Sequence, residues 1–278
     1  MKTITCAFFC VSLSLFLNLL KAQNFPYPAL VGYWEGWNNT LLLKDIDSNY
    51  NVIEVAFATT KGSSFYKMEF NYPWFYGSKN LFKADIETLQ SQGRKVLLSI
   101  GGANDPVLLS NYLEKDTFIT TMNTILDDYA FDGIDIDFEN ASLNFSNVTL
   151  ENPTDSNLIN IIDAIKQVLQ HYQTSHGKRC FLTMAPEIIH VQGGIQSNSN
   201  GKFLPVIDAL RNDLDLLGFL PVLRCFKFSM ASKHMLFQGN WFTTWLTNWS
   251  RSIWLRLAAL LPGFLRSILS RKTLNSVP

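Results

Sequence analysis

Alternating carboxylates near the middle of the chain are the residues best suited to chemistry. The segment reads Phe131-Asp132-Gly133-Ile134-Asp135-Ile136-Asp137-Phe138-Glu139. Because successive side chains of a strand point to opposite faces, Asp135, Asp137 and Glu139 should share one face while the apolar residues between them pack on the other. Close like charges and burial both raise a carboxyl pKa, so at least one of the three should keep its proton near neutral pH, as a general acid must. A solvated acidic edge strand is the alternative, and it leaves the alternating apolar residues unexplained.

The composition sets broad limits on the class of protein. The chain has 278 residues, 47% of them hydrophobic and 17% charged, which is typical of one globular domain with a large core. Its formal net charge is zero. A nucleic-acid partner would usually require a basic surface, so we expect none.

The first 23 residues have the pattern of a secretory signal peptide. Lys2 precedes an apolar stretch from Ile4 to Leu20, and a cleavage site is expected near Ala22 or Gln23. A signal anchor is the alternative, but the apolar stretch is short for a membrane span and polar residues interrupt it. We therefore expect a secreted, extracellular protein that begins near Asn24, with no stable membrane span.

The rest of the chain alternates between strand and helix patterns. Strands are predicted over Ala29–Trp34, Val52–Ala58, Lys95–Ile100, Phe131–Glu139, Phe181–Ala185 and Leu214–Leu217. Helices are predicted over Leu81–Gln92, Thr117–Tyr129, Asn157–Gln173 and Phe203–Asp213. Near-continuous apolar strands in such an alternation predict a parallel sheet covered on both faces, so the fold class is α/β.

A doubly wound sheet and a (β/α)8 TIM barrel share this alternation. The barrel is favoured because polar and aromatic residues stand at the C-terminal ends of many strands, where barrel active sites lie: Tyr33, Trp34, Phe57, Ser99, Gly101, Gly102, Asp137, Glu139, Met184 and Glu187. No Gly-x-Gly-x-x-Gly follows the first strand, so a dinucleotide-binding fold loses its main support.

Two motifs resemble those of glycoside hydrolase family 18, the chitinase family. Asp132 to Glu139 matches the family's DGxDxDxE signature, and Ser99-Ile100-Gly101-Gly102 matches its SxGG signature on the preceding strand. Leu182–Glu187 and Val191–Gly194 also resemble the family's fifth strand and the loop after it. The similarity runs from about Leu30 to about Leu217, and it implies a TIM barrel of the family 18 type.

The resemblance implies a mechanism that the residues alone leave open. In this family the N-acetyl group of the substrate attacks the anomeric carbon, so no second carboxylate is needed as nucleophile. Glu139 would then be the general acid, Asp137 would orient and stabilise the N-acetyl group, and Asp135 would share a proton with Asp137. Neither a metal nor a cofactor is implied.

The same resemblance implies roles for residues around the carboxylates. Four are expected to bind substrate: Tyr33, Phe57, Met184 and Glu187. Ordinary core packing is the alternative for Met184 and the two aromatic residues. Five others are expected to be structural: Asp132, Gly133, Ser99, Gly101 and Gly102. The SxGG glycines would allow close backbone approach, and Asp132 would cap the turn before the acidic strand.

The sequence departs from the family after Leu217. We divide the chain into the signal peptide (1–23), the N-terminal and central part of a barrel domain (24–217) and a basic, Trp-rich tail (218–278). The family's tyrosine-containing sixth-strand motif does not follow, and no Asp or Glu occurs after Asp215. A change of reading frame or splicing near Gly218 is one explanation, and an amphipathic tail that touches an anionic membrane is the other. We expect an incomplete barrel with weak or no activity.

The implied function is that of a secreted, monomeric chitinase acting on chitin or N-acetylglucosamine oligosaccharides. A chitinase-like lectin, which binds the sugar without cleaving it, is the alternative. The sequence leaves chitin and an N-glycan core open as substrates, and it leaves endo and exo action open as well.

Overall fold

The computed structural model describes residues 24–38, 41–62, 64–146, 148–150, 153–191 and 201–218. Three predicted segments lie outside the described residues: the signal peptide, the loop residues Gln192–Gly194 and the tail from residue 219. No helix in the described part of the chain is long and apolar enough to cross a membrane.

The described residues form seven strands and four α-helices, and from the third strand onward strands and helices alternate. The strands are β1 (Val31–Glu35), β2 (Val52–Lys61), β3 (Ser64–Glu69), β4 (Lys95–Gly101), β5 (Gly133–Asp137), β6 (Phe181–Met184) and β7 (Leu216–Leu217). The helices are α1 (Lys79–Ser91), α2 (Tyr112–Tyr129), α3 (Ser156–His176) and α4 (Leu204–Leu210).

The sheet is a curled half-barrel of parallel strands. The strand order is β1-β2-β4-β5-β6-β7, and every neighbouring pair along it is parallel. This arrangement confirms the predicted α/β fold of the TIM-barrel type. Within the described residues the barrel wall ends at the two-residue strand β7, which is the start of the sixth parallel strand.

Side-chain caps determine where the helices begin. The Asn111 side chain accepts a hydrogen bond from the Glu114 amide, and the Glu114 carboxylate accepts one from the Ser110 amide. These bonds satisfy amides that have no partner inside the helix, so α2 begins five residues before the predicted Thr117. Asp155 caps α3 in the same way by accepting from the Leu158 amide.

The strand β3 was not predicted. β2 continues to Lys61, beyond its predicted end at Ala58, and pairs antiparallel with β3 across a turn. The extension contains two threonines and a lysine in place of apolar residues, so the run of hydrophobic residues that indicated a buried strand stops too early. The hairpin adds an antiparallel strand beside the parallel wall.

The core lies between the sheet and its helices. Ile134, Ile136 and Phe138 are buried, as the alternation along the acidic strand predicted. The buried Tyr172 of α3 donates its hydroxyl proton to the Phe131 carbonyl oxygen at 2.7 Å. This packing fixes β5 from its apolar side, and the carboxylates of β5 therefore have a rigid support.

Candidate active site

Three carboxylates follow one another along β5 and its end, and we call Asp135, Asp137 and Glu139 the carboxyl track. Asp135 has no exposed surface and Asp137 is 4% exposed, whereas Glu139 is half-buried. β5 ends at Asp137, because the chain turns through Asn140, whose φ is +47°, into a short 3-10 helix. The predicted strand end at Glu139 is therefore wrong, and Glu139 lies at the rim of the half-barrel.

Asp135 is held by hydroxyl groups from three other strands. Its Oδ2 accepts hydrogen bonds from Tyr33 Oη at 2.8 Å and Ser99 Oγ at 2.7 Å. Its Oδ1 accepts one from Thr183 Oγ1 at 2.8 Å. Ser99 and Thr183 are the direct register partners of Asp135 on β4 and β6. Burial raises the pKa of Asp135, and these three hydrogen bonds oppose that effect.

Asp137 lies in conditions that favour its protonated form. Burial is the main cause, the charges of Asp135, Glu139 and Glu187 add to it, and together they raise the pKa of Asp137 to about 8. Its Oδ1 is buried and has no hydrogen-bond partner within the described residues. A buried oxygen without a partner is unfavourable, so this atom is available to an incoming polar group.

Glu139 is the carboxylate of the track nearest to solvent. Burial, followed by the charge of Glu187, raises its pKa above the ordinary value for a glutamic acid. Glu187 lies after β6, and its Oε2 is 3.2 Å from Nε2 of His190. A glutamic acid that holds its proton above its ordinary range is suited to general acid catalysis.

The motif glycines allow backbones to approach closely beneath the track. A Cβ on Gly101, whose φ is +107°, would lie 2.4 Å from the Asp137 carbonyl oxygen, and the Gly102 amide donates to that same oxygen at 2.7 Å. A Cβ on Gly133 would lie 2.1 Å from the Phe181 carbonyl oxygen. Gly101 and Gly133 therefore exclude a side chain, and the positive φ of Gly102, +83°, favours glycine there.

Asp132 has a structural position at the start of β5. It is buried, and its Oδ2 accepts a hydrogen bond from the Val96 amide of β4 at 3.0 Å. Lys178 Nζ is 3.9 Å from its Oδ1. Asp132 thus ties β5 to β4 at the end of the sheet opposite Glu139.

A cleft of about 410 Å³ opens beside the SxGG glycines, at the C-terminal ends of the first strands. Phe57 and Trp37 line it, with ring centroids 6.0 Å apart and planes 17° apart, and the Trp37 side chain is 61% exposed. The Phe57 ring is also 6.2 Å from that of Tyr33. Asp105 lines the cleft as well, and burial raises its pKa.

The predicted site residues occupy different kinds of position. Tyr33 and Ser99 meet at Asp135, Phe57 lines the cleft, and Glu187 acts on the track through its charge. Met184 is 1% exposed and packs in the hydrophobic core. Its predicted contact with substrate stays a prediction.

Sequence reasoning missed four residues of the site: Glu54, Thr183, Trp37 and His190. A charged residue inside the apolar run of β2 was the available signal for Glu54. The others gave no signal, because their importance depends on register and on contacts between distant segments. Across the described residues, no group of three or more His, Cys, Asp or Glu is arranged to hold a metal ion.

Comparison with known proteins assigns this architecture to a family. The family described as Glycosyl hydrolases family 18 matches residues 29–208, which is most of the chain. The chain therefore belongs to glycoside hydrolase family 18, and the predicted family is confirmed.

Individual relatives carry chitinase names. Chitinase Chi52 of Paenibacillus xylanexedens is 36% identical over 217 residues, covering 74% of this chain and 40% of that protein. Chitinase D of Niallia circulans is 36% identical over 218 residues, with the same shares covered. A family GH18 chitinase from Chromobacterium violaceum has a similar structure, with a TM-score of 0.60 at 34% identity over 71% of this chain and 50% of that one. The chain thus spans about 40% of the length of the first two relatives.

Proposed function

We propose that this chain carries the acid-bearing part of an active site that hydrolyses the β-1,4 bonds of chitin or its oligosaccharides. The observation that carries the proposal is the arrangement of Asp137 and Glu139. Asp137 is buried and its Oδ1 has no hydrogen-bond partner in the described part of the chain, and Glu139 lies two residues further on with a raised pKa. The chitinase names of the relatives support the same substrate.

In the proposed reaction Glu139 protonates the oxygen of the leaving sugar. Its raised pKa keeps a proton available for that step, and its position at the rim gives a substrate access to it. Asp137 Oδ1 accepts a hydrogen bond from the N–H of the substrate's N-acetyl group, whose carbonyl oxygen then attacks the anomeric carbon. Water opens the resulting oxazolinium ion, and the Glu139 carboxylate takes up the proton that this water releases.

Asp135 affects this chemistry through its charge, which lies next to Asp137. Three hydroxyl groups hold its carboxylate, so its negative charge stays next to Asp137. That charge stabilises the proton on Asp137 before substrate binds. The track thus holds the N-acetyl acceptor and the acid at fixed positions, which is the preorganisation that catalysis requires.

Binding of chitin oligosaccharides without cleavage is the second candidate function. It is favoured by the sequence after Leu217, which lacks the tyrosine-containing motif expected on the sixth strand. A lost donor to developing charge typically lowers the rate by about 10²–10³. We therefore expect slow turnover from this chain, and the intact Glu139 favours slow hydrolysis over pure binding.

The N-acetyl group provides the experiment. The full chain is incubated with N-acetylglucosamine oligomers and with glucosamine oligomers of equal length, and cleavage and binding are measured on one preparation. We expect cleavage of the acetylated oligomers alone. Equal cleavage of both would contradict the substrate-assisted mechanism, and binding without any cleavage would establish the lectin function.

Export remains part of the proposal. The pattern of residues 1–23 supports a secreted protein. Sequencing the N-terminus of protein collected from the medium of a secreting host should give a start near Asn24. Protein retained in the membrane fraction with Met1 intact would favour the signal anchor.

A further inference from the structure

Glu54 is a buried carboxyl group that the proposed reaction does not use. It is the third residue of β2 and is 3% exposed, and its neighbours Ile53 and Val55 are fully buried. Its register partner on β1 is Tyr33. A carboxylate in such surroundings is costly unless donors or cations compensate it, so the partners of Glu54 determine its charge.

One polar partner of Glu54 is a hydroxyl group that also contacts Asp135. Thr183 Oγ1 is 3.1 Å from Glu54 Oε1 and 2.8 Å from Asp135 Oδ1. A threonine hydroxyl has one proton to donate and two lone pairs that accept. If both carboxyl groups were ionised, one of these two short contacts would join two acceptors. One of the two acids must therefore donate to Thr183.

The other contacts identify Glu54 as that donor. Asp135 already receives hydrogen bonds from Tyr33 and Ser99, so its hydrogen-bond pattern is that of an ionised carboxylate. Tyr33 also interacts with Glu54, but its one hydroxyl proton is directed to Asp135 at 2.8 Å. The donors shared by the two acids thus serve Asp135, and Glu54 is left to supply a proton itself.

We propose that Glu54 is a proton-holding positioning residue of the carboxyl track. It stands as a neutral acid and donates its proton to Thr183 Oγ1. That bond turns the Thr183 hydroxyl toward Asp135 and keeps Asp135 ionised beneath Asp137. The proposal rests on the proposed function of the track, whose charge pattern it completes: Glu54 neutral, Asp135 negative and Asp137 protonated.

The charges around Glu54 favour the same state. Burial raises its pKa well above the ordinary value, and the negative charges of Asp135 and Asp137 raise it further. The titratable groups that face it are Tyr33 from β1 and these two aspartates from β5, and Thr183 faces it from β6. Hydrogen bonds from Tyr33 and Thr183 would lower the pKa, but only if those hydroxyls donated to Glu54 rather than to Asp135.

Infrared difference spectroscopy of the full chain tests the proposal directly. A protonated carboxyl group has a C=O stretching band well separated from the bands of a carboxylate. At pH 7, the spectrum of the wild type minus that of Glu54→Gln should contain one protonated-carboxyl band. The control Glu87→Gln, at an exposed position of α1, should show a carboxylate loss instead. A carboxylate loss in Glu54→Gln as well would overturn the proposal.

The pH dependence of stability gives a second measurement. The folded state keeps the Glu54 proton above the pH at which the unfolded chain releases it, so wild-type stability should fall as pH rises from about 5 to 7. That slope is proportional to the difference in bound protons between the folded and unfolded states, and Glu54→Gln should reduce this difference by about one proton. An unchanged slope overturns the proposal.

A second variant, at Thr183, keeps the proposal testable if Glu54→Gln does not fold. Should Glu54→Gln fail to fold, Thr183→Val removes the acceptor and should shift the protonated-carboxyl band without abolishing it. A spectrum unaltered by Thr183→Val overturns the proposal.

The two proposals fail in different ways. Absence of turnover in every variant would count against the hydrolase function and leave the infrared result intact. Where turnover is measured, the rate of Glu54→Gln should rise and fall at the same pH values as the rate of the wild type, since glutamine has the charge of a protonated glutamate. A shift of this pH–rate profile to lower pH would show that Glu54 was ionised. It would overturn the proposal for Glu54 and leave the hydrolase function standing.

Discussion

Ser99 Oγ donates a hydrogen bond to Asp135 Oδ2 at 2.7 Å across directly paired positions of β4 and β5. Both side chains have no exposed surface. This contact joins the two sequence motifs of the family, because Ser99 opens one motif and Asp135 lies in the middle of the other. The parallel register of β4 and β5 therefore brings the two motifs together, and Ser99 belongs to the support of the carboxyl track.

Replacing Ser99 tests that support. Ser99→Ala leaves Asp135 with two of its three donors, so we expect the free energy of unfolding to fall by about 1–3 kcal/mol. Denaturant titration measures the change. The control Ser175→Ala removes a hydroxyl from an exposed position of α3 and should change stability by less than about 0.5 kcal/mol. Equal effects of the two substitutions would contradict the supporting role of Ser99.

Gly133 offers a test of the close approach between β5 and β6. In Gly133→Ala the new Cβ would lie 2.1 Å from the Phe181 carbonyl oxygen, so the strands must separate. We expect a loss of about 3 kcal/mol or more, or failure to fold. Gly177→Ala is the matched control. Among the described residues its Cβ would meet nothing within 4 Å, so the positive φ of +63° is the unfavourable feature, at about 1–2 kcal/mol. A larger loss in the control than in Gly133→Ala would contradict the packing account.

Asp137 should make stability decrease as pH rises. Its folded-state pKa of about 8 lies above the ordinary value, so its contribution is fully present below the unfolded-state pKa, near 3.9, and is lost as pH rises toward 8. Asp137→Asn should therefore flatten the decline in melting temperature between about pH 5 and 8. A decline as steep as in the wild type would contradict the raised pKa.

Asp155 provides the control of opposite sign. Burial would raise its pKa, but hydrogen bonds, first of all from the Ser146 amide, bring the pKa below its ordinary value. Its contribution is present above the unfolded-state pKa and is lost as pH falls through the folded-state value. Asp155→Asn should therefore lower stability at neutral pH and change the acid side of the profile, leaving the decline toward pH 8 in place.

The sequence predicted the track because its signal is local. The alternation of acidic and apolar residues around Asp135 and Asp137 reports directly on the two faces of one strand. The glycines were predictable for the same reason, since a motif glycine inside or just after a strand indicates close backbone approach. Helix starts were less predictable. The cap at Asn111 makes α2 begin several residues before the first buried residue of its apolar face, Phe118.

Contacts between strands could not be read in the same way. Thr183 and Glu54 are 129 residues apart in sequence, and only the curl of the sheet brings their oxygens to 3.1 Å. Burial was equally hard to read: a position at the end of a strand does not reveal whether a side chain is exposed, and Met184 is buried. The resemblance to a family supplied roles for single residues, whereas the charge of the whole track required the structure.

The most direct test of the account is hydrolysis of N-acetylglucosamine oligomers by Glu139→Gln, with Glu87→Gln as the control. Glutamine keeps the shape of Glu139 and has no acidic proton, so the rate should fall by about 10²–10⁴ while oligomer affinity is retained. The control should keep the wild-type rate, because Glu87 lies on an exposed face of α1. Turnover by Glu139→Gln at the wild-type rate would contradict the assignment of Glu139 as the general acid.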